Sequence, residues 1–532
     1  MSHTLWFKRW SSQVLLGLIS LALVVFTFVA AAPSIGNGEK TQGGLDPRIV
    51  KIMSSPAYRY GKWGLLEINL ATGRIVQSLA PPQRIFVQGS TTKLFSVSGA
   101  LDDLGFDHHF TTPVYALGKT SAGSLKGPLV LLAQGDLTMG GRTKPDGTVD
   151  FTDLDHGDAS DFVPGVTLTP EDPLAGIKQL AQQVRTSGIR QANDVVIDDR
   201  LFQPDPNLDP RTNPMIINDN LFDVVVTPGR VGAGPGSVFW RPQVAPYHLD
   251  VQVKTVAAGQ PTALSVQPFP DGRLLVSGTI AVNAGQQVRV ARIPDPAAFA
   301  RTALIEALGR AGVSVSASAT GSNPVGKLPP TSNYAGDPRV AAYVSPPFSE
   351  YTKLILKVSN NVGADLMLCL MAAKAGSTNC EDSFPVLAAF LTRAHVDRTQ
   401  VVLRDGEGLP NNRFTLQAVT DLLRYWSGRP EFARFRQMLP ILGEHGNLSG
   451  ICTTCPARGK VFAKPGTSLT FDALNTRFFL QEALGGYLEV KPGQFDVFDL
   501  AVSNAVIPLT GVEQVFNDLG NISAYLQEDA AA

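Results

Sequence analysis

Three short motifs in this sequence carry the residue types of a serine acyl-transfer site. The stretch "QGSTTKLF" places Ser90 and Lys93 three residues apart, at the start of a segment whose apolar spacing predicts a helix. Side chains three residues apart share one helix face, so the Lys93 amine can take the Ser90 proton if the amine is neutral. Taken alone, this S-x-x-K pair is more typical of a helix cap beside a solvated lysine.

Two further motifs favour the catalytic interpretation. Ser359 and Asn361 form an S-x-N just before a helical stretch, and Lys464 begins a K-x-G in a strand-like segment. Ser90 begins the only S-x-x-K in the chain, and the three motifs stand in the order found in penicillin-binding proteins and β-lactamases. The order and the element types together predict an active site.

Each motif has an expected role. Ser90 is the nucleophile and Lys93 its base, which requires that burial or a nearby positive charge lower the Lys93 pKa. Lys464 can supply that charge and can also hold a substrate carboxylate. Ser359 relays a proton to the leaving amine, and the Asn361 amide donates to the substrate backbone. Backbone N–H groups of Ser90 and Thr467 form an oxyanion hole. The predicted site residues are Ser90, Lys93, Ser359, Asn361, Lys464, Gly466 and Thr467.

The N-terminus reads as an export signal. Lys8 and Arg9 precede an apolar run from Val14 to Ala32, which predicts a signal peptide over 1–32 or an uncleaved membrane anchor. We therefore expect an exported protein of the periplasm or cell envelope, tethered at most by this segment. A net charge of −1 over 532 residues gives no sign of nucleic-acid binding.

The cysteines and acidic residues indicate no metal or cofactor. Four cysteines fit an oxidising compartment, and Cys369–Cys380 with Cys452–Cys455 is the simplest of three disulfide connectivities. A lone C-x-x-C lacks the further ligands of a zinc site. The stretch 150–161 holds five aspartates that would suit calcium, but it misses the EF-hand spacing and favours a solvated acidic loop.

The pattern of predicted secondary structure changes twice along the chain. Residues 45–110 and 338–532 combine helical and strand-like stretches, whereas 111–337 consists mostly of short strand-like pieces separated by Gly, Pro and Asp turns. We expect a core built from both ends of the chain. The region 111–337 is then a β-rich insertion lying away from the catalytic groove.

The chain resembles the penicillin-binding protein 4 type of D-alanyl-D-alanine carboxypeptidase/endopeptidase. Besides the motifs, "FTTPVYALG", "GPLVLLAQGD", "DVVIDDRLF", "DGEGLPNNRFT" and "LPILGEHGNL" resemble family segments, so the likeness spans most of 49–508. The resemblance implies an α+β fold: a transpeptidase domain, with an antiparallel sheet flanked by helices, and a large insertion between the first two motifs. It further implies cleavage of D-Ala-D-Ala bonds in peptidoglycan through an acyl-enzyme, with β-lactams as covalent inhibitors.

Three residues depart from the family pattern. Pro465 stands where Thr is usual, so one hydroxyl for the substrate carboxylate is missing, although Thr467 lies on the same strand face. Glu407 replaces a Ser, and Leu137 replaces a Pro. Two alternatives stay open: a β-lactamase or esterase of the same chemistry, and a catalytically silent cell-wall-binding protein.

Overall fold

The computed structural model describes residues 44–159, 165–508 and 510–532. The predicted signal peptide or anchor, 1–32, lies outside these residues. Within the part of the chain that is described, no helix combines the length and the hydropathy needed to span a bilayer.

The secondary structure alternates between mixed and strand-rich regions. The first region contains α1 (Pro47–Met53), β1 (Lys62–Asn69), β2 (Ile75–Leu79), β3 (Ile85–Phe86) and α2 (Lys93–Leu104). The middle region contains β4 (Thr111–Ala116), β5 (Thr120–Ser121), β6 (Ser124–Leu125), β7 (Pro128–Leu132), α3 (Ala175–Thr186), β8 (Gln191–Ala192), β9 (Asp194–Asp198), β10 (Leu221–Thr227), β11 (Ser237–Arg241), β12 (His248–Val256), β13 (Ala263–Pro268), β14 (Arg273–Ala281), β15 (Gln287–Arg292), α4 (Pro296–Arg310) and β16 (Ser314–Val315). The last region contains β17 (Arg339–Val344), α5 (Phe348–Val358), α6 (Asn361–Lys374), α7 (Ser383–Arg393), β18 (Val401–Val402), β19 (Arg413–Thr415), α8 (Leu416–Ser427), α9 (Phe432–Met438), β20 (Val461–Asp472), β21 (Arg477–Lys491), β22 (Gln494–Pro508) and α10 (Val512–Ala531).

A five-stranded antiparallel sheet joins the two ends of the chain. Its strand order is β2-β1-β22-β21-β20, with β1 paired to β22 along its whole length. The strand that carries the K-x-G motif, β20, is outermost in this sheet.

Helices cover both faces of the sheet, so its inner strands are buried on both sides. Successive side chains of a strand point to opposite faces, and Val497 and Ala501 of β22 belong to one core with residues of α2, α6 and α8, whereas Leu500 and Val502 belong to a second core with α10. This burial explains why β21 and β22 read as long apolar runs. The core that contains Val497 and Ala501 also contains residues of α2 and α6, the helices that adjoin the S-x-x-K and S-x-N motifs.

Smaller sheets make up most of the middle region. The sheet β17-β4-β7-β9 packs with α3 and α4, while β11-β10-β15 and β12-β14-β13 form two three-stranded sheets. Strand β17 follows the predicted boundary at 337 but pairs with β4 of the middle region. Side chains of the middle region, including Leu137 and Leu208, also enter the core around α2 and α6.

Both predicted disulfides are present. Cys369 of α6 bonds to Cys380 ahead of α7, and Cys452 bonds to Cys455 in the loop before β20. Two helices, α3 and α4, interrupt the strands of the middle region.

Candidate active site

The S-x-x-K motif lies where a single 3-10 turn, Gly89–Thr92, leads into α2. The turn packs directly on the backbone of β20: a Cβ added to Gly89 would lie 2.5 Å from the Thr467 carbonyl oxygen, and Gly89 has a φ of +51°. Only glycine fits both the contact and the left-handed backbone. Gly89 therefore allows the turn to hold Ser90 beside the K-x-G strand.

The Lys93 amine joins the first two motifs. Its Nζ lies 2.7 Å from Ser90 Oγ, 2.7 Å from Asn361 Oδ1 and 2.9 Å from the carbonyl oxygen of Glu407. The side chain of Lys93 is fully buried, whereas Ser90 is partly exposed and Asn361 is exposed. A buried amine therefore contacts a hydroxyl that substrate can reach.

Burial lowers the pKa of Lys93 to about 8, although the carboxylates of Glu407 and Asp365 act in the opposite direction. A lysine near pKa 8 is partly neutral at physiological pH and can accept a proton from an adjacent hydroxyl. This is the electrostatic condition that the sequence interpretation required of Lys93.

The S-x-N motif occupies the break between α5 and α6. Ser359 ends α5 in a left-handed conformation (φ 60°, ψ 37°), and Asn360 caps α6 by accepting the N–H of Gly363 at 2.7 Å. Asn361 is the first residue of α6, and because its Oδ1 accepts from Lys93, its Nδ2 is left to donate. The motif thus presents two side chains from one sharp turn.

The K-x-G motif lies on β20 with its backbone against the Ser90 turn. A Cβ on Gly466 would lie 2.0 Å from the Gln88 carbonyl oxygen and 2.5 Å from the Thr91 nitrogen, so the position needs glycine. Lys464 is fully buried and its Nζ donates to the Pro465 carbonyl at 2.7 Å. Burial and the nearby Lys93 amine lower the pKa of Lys464 well below its usual range.

The Thr467 hydroxyl is bound to a residue that sequence reasoning missed. Its Oγ1 donates to Glu482 Oε1 of the neighbouring strand β21 at 2.9 Å. Burial raises the pKa of Glu482 to about 8, so this carboxyl group is largely protonated at neutral pH. Nothing in the spacing of the sequence marked Glu482 as part of the site.

The loop around Glu407 is a second unpredicted part of the site. Asp405 Oδ1 accepts the backbone N–H groups of Glu407, Gly408 and Leu409, which fixes the loop whose carbonyl contacts Lys93. The Glu407 side chain is buried, and its burial raises its pKa to about 6. The departure from Ser at this position was visible in the sequence, but its closeness to Lys93 was not.

The prediction of a solvated acidic loop over 150–161 is wrong for Asp155. This carboxylate is buried and accepts both terminal nitrogens of Arg142, at 2.6 and 2.8 Å. Ligand atoms of Asp155, His156 and Asp219 lie within 4.8 Å of one another, as a metal site would need. However, the Arg142 guanidinium bonds to both aspartates and already places a positive charge there.

Asp158 of the same loop lies close enough to two buried lysine amines to interact with their charges. Asp158 interacts electrostatically with Lys93 and Lys464, while burial and the adjacent Asp155 raise its pKa to about 6. The expectation that 111–337 lies away from the groove is therefore wrong for this segment. Tertiary contacts bring a residue of the middle region to the site.

The chain is similar to known carboxypeptidases. The model of the "D-Ala-D-Ala carboxypeptidase 3 (S13) family" matches residues 48–509. A D-alanyl-D-alanine carboxypeptidase from Actinomadura sp. (strain R39) is 26% identical over 517 residues, covering 92% of this chain and 88% of the relative. A penicillin-sensitive carboxypeptidase A from Dictyostelium discoideum is 27% identical over 276 residues, or 49% of this chain and 50% of that protein.

The fold also matches a solved structure. Penicillin binding protein 4 from Haemophilus influenzae superposes with a TM-score of 0.66 at 18% identity, covering 91% of this chain and 99% of that one. A second structure of that protein, complexed with a β-lactam, gives a TM-score of 0.64 over 88% of this chain and 96% of that one. These likenesses confirm the expected α+β transpeptidase-like fold.

Fold and motifs together define a serine peptidase of the penicillin-binding class. Within that class, this chain belongs to the D-Ala-D-Ala carboxypeptidase 3 (S13) family.

Proposed function

We propose that this peptidase cleaves peptidoglycan peptides through an acyl-enzyme on Ser90, with Lys93 as the base. The observation that carries the proposal is the Lys93 amine, which contacts Ser90 Oγ and Asn361 Oδ1 at 2.7 Å each. Neutral Lys93 takes the hydroxyl proton as Ser90 Oγ attacks the carbonyl carbon of the penultimate D-Ala. The tetrahedral oxyanion accepts hydrogen bonds from the backbone N–H groups of Ser90 and Thr467.

The S-x-N motif then serves the leaving group and the substrate backbone. The amide nitrogen of the scissile bond receives a proton from Lys93 through the Ser359 hydroxyl, and D-Ala leaves. Nδ2 of Asn361 donates to a substrate carbonyl. This nitrogen is free to donate because the contact between Asn361 and Lys93 uses Oδ1. Water then hydrolyses the ester on Ser90 and regenerates the hydroxyl.

The K-x-G strand is proposed to hold the substrate. Because β20 is the outermost strand, a peptide can align beside it as an added strand. A substrate carboxylate arriving beside Lys464 would stabilise the protonated form of that buried amine and pair with it. Gly466 keeps β20 close to the nucleophile.

The proposal extends to the organisation of the chain, its location and its inhibitors. Residues 45–110 and 338–532 form the transpeptidase part, with 111–337 inserted between the first two motifs and β17 associated with the insertion. We place the protein in the periplasm or cell envelope, exported through the segment 1–32. β-Lactams, which the Haemophilus influenzae relative binds, are proposed to acylate Ser90.

Release of D-Ala from a peptide ending in D-Ala-D-Ala tests the proposal. We expect release by the purified protein and none by the Ser90→Ala variant. Rapid turnover of nitrocefin without D-Ala release would instead favour a β-lactamase or esterase. Absence of both activities from folded protein would favour a silent wall-binding protein.

A further inference from the structure

Asn360, the middle residue of the S-x-N motif, has both ends of its amide engaged. Oδ1 accepts the N–H of Gly363, which caps α6, and Nδ2 donates to Asp219 Oδ2 at 2.8 Å. Asp219 belongs to the middle region of the chain, 141 residues before Asn360. The turn that presents Ser359 and Asn361 is therefore attached to the insertion by one specific hydrogen bond.

Behind Asp219 lies a network of three cations and three carboxylates, all buried except the partly buried Arg241. Its members are Arg142, His156, Arg241, Asp155, Asp219 and Asp223. Asp219 receives His156 Nε2 at 2.9 Å and Arg142 Nη2 at 3.2 Å, while Asp223 receives His156 Nδ1 at 2.7 Å. Burial alone would lower the pKa of His156, but the surrounding aspartates outweigh it and raise that pKa to about 10.

The backbone at Asp219 is held in an uncommon conformation. Asn218, Asp219 and Asn220 have φ values of 53°, 54° and 54° in succession. Asn and Asp adopt the left-handed conformation more readily than other non-glycine residues, but usually as single residues. The Asp219 carboxylate of this turn accepts hydrogen bonds from Asn360 and from the side chains of the network.

We propose that Asp219 is a positioning residue for catalysis. It acts through Asn360 to hold the S-x-N turn where Asn361 contacts Lys93. The inference rests on the proposed function of Ser359 and Asn361. If the hydrogen bond is lost, the cap of α6 remains, but the turn that orients both side chains is free to shift. The insertion is then a structural part of the active site, because it determines where Asn361 meets the lysine.

The pair can be reversed without changing its net charge. Asn360→Asp keeps a good cap for α6 but sets two carboxylates against each other. Combining it with Asp219→Asn restores one amide and one carboxylate in the opposite orientation. Asn360→Ser is a second single variant, since serine also caps a helix but is too short to reach Asp219 as asparagine does.

The experiment measures kcat and KM for the D-Ala-D-Ala peptide, the acylation rate with a fluorescent penicillin, and the Tm. We expect either single variant at 360 to lower kcat and the acylation rate by roughly ten- to a hundredfold, the range of a charge-assisted hydrogen bond, with KM changed little. The reversed pair should recover most of that loss. Asp194→Asn is the control: it breaks a buried ion pair with Arg301 in the insertion, so Tm should fall while kcat stays within about twofold.

Three outcomes would overturn the inference. The first is normal acylation by both single variants, and the second is no recovery in a folded double variant. The third concerns the control: Asp194→Asn would lose as much kcat, for a given loss of Tm, as the variants at 360 do. Destabilisation alone would then explain the loss of activity. Failure of the proposed function is distinguishable, because the unmodified protein would then fail to be labelled on Ser90.

Discussion

The Nζ of Lys93 lies 2.7 Å from the Oγ of Ser90. Both groups belong to the same turn-and-helix unit, so their contact depends little on the rest of the chain. What the rest of the chain supplies is the environment of the amine: burial, the Asn361 acceptor and the Glu407 carbonyl. Changes in charge, in substrate binding or in backbone packing around this pair should therefore change the reaction rate.

The first prediction concerns the pH dependence of acylation. Only neutral Lys93 can accept the Ser90 proton, so the acylation rate should rise with pH through the Lys93 pKa of about 8. Glu407→Gln keeps the backbone carbonyl but removes a negative charge that raises this pKa. In Glu407→Gln, the rising limb of the plot of acylation rate against pH should therefore move to lower pH by roughly one unit.

Other groups also face the Lys93 amine, namely Asp365, Asp158, Asp405 and Lys464. Asp365 has a pKa raised to about 8 by burial and by Glu407, so it should ionise more readily in Glu407→Gln and offset part of the shift. Stopped-flow acylation rates between pH 5 and 10 make the measurement, with the exposed Glu513→Gln as the control. An unshifted or upward-shifted limb in Glu407→Gln would contradict the assignment.

The second prediction concerns Pro465. Replacing the proline by the threonine usual in the family should add a hydroxyl for the substrate carboxylate, a bond worth roughly 1.5 to 3 kcal/mol. We expect low but real activity in the natural protein, and a kcat/KM about ten- to a hundredfold higher in Pro465→Thr. Pro465→Ala, which removes the ring without adding a hydroxyl, is the matched control.

Equal values of kcat/KM for the natural protein and Pro465→Thr would show that another group already binds the carboxylate. The Thr467 hydroxyl, which donates to Glu482 of the neighbouring strand, is one such candidate. A similar gain in Pro465→Ala would mean that the proline ring, and not the missing hydroxyl, limits the reaction.

The third prediction concerns the close packing of β20 on the nucleophile turn. Gly466→Ala would put a Cβ 2.0 Å from the Gln88 carbonyl oxygen, so the strand must move away from Ser90. Overpacking of this kind costs about 1 to 3 kcal/mol, and the displaced oxyanion hole should lower the acylation rate at least tenfold. Gly326→Ala, where nothing lies within 4 Å of the added carbon, should change neither the rate nor the Tm beyond error. Normal acylation by Gly466→Ala would contradict the packing argument.

The parts of the site that the sequence predicted are those encoded locally. The S-x-x-K spacing places Ser90 and Lys93 on one turn, and Pro465, which has no backbone N–H, is typical of an edge strand such as β20. The resemblance to the family supplied the order of the motifs and the fold. In each case a short stretch of sequence contains the determinant.

The parts that escaped prediction depend on residues far apart in the chain. Asp155 looked solvated because its partners are Arg142, 13 residues away, and a network that closes through Asp219. Nothing local marks Asp219 or Glu482, since each acquires its role only through a tertiary contact. Periodicity reports which face of an element is apolar, but it does not report which buried charges will meet.

The most direct test of the account is to locate the penicilloyl group after the protein reacts with benzylpenicillin. Peptide mass spectrometry should find one adduct, on Ser90, and Ser90→Ala should carry none while keeping the Tm of the natural protein within a few degrees. An adduct on any other residue, or no adduct on freshly folded protein, would contradict the assignment of Ser90 as the nucleophile.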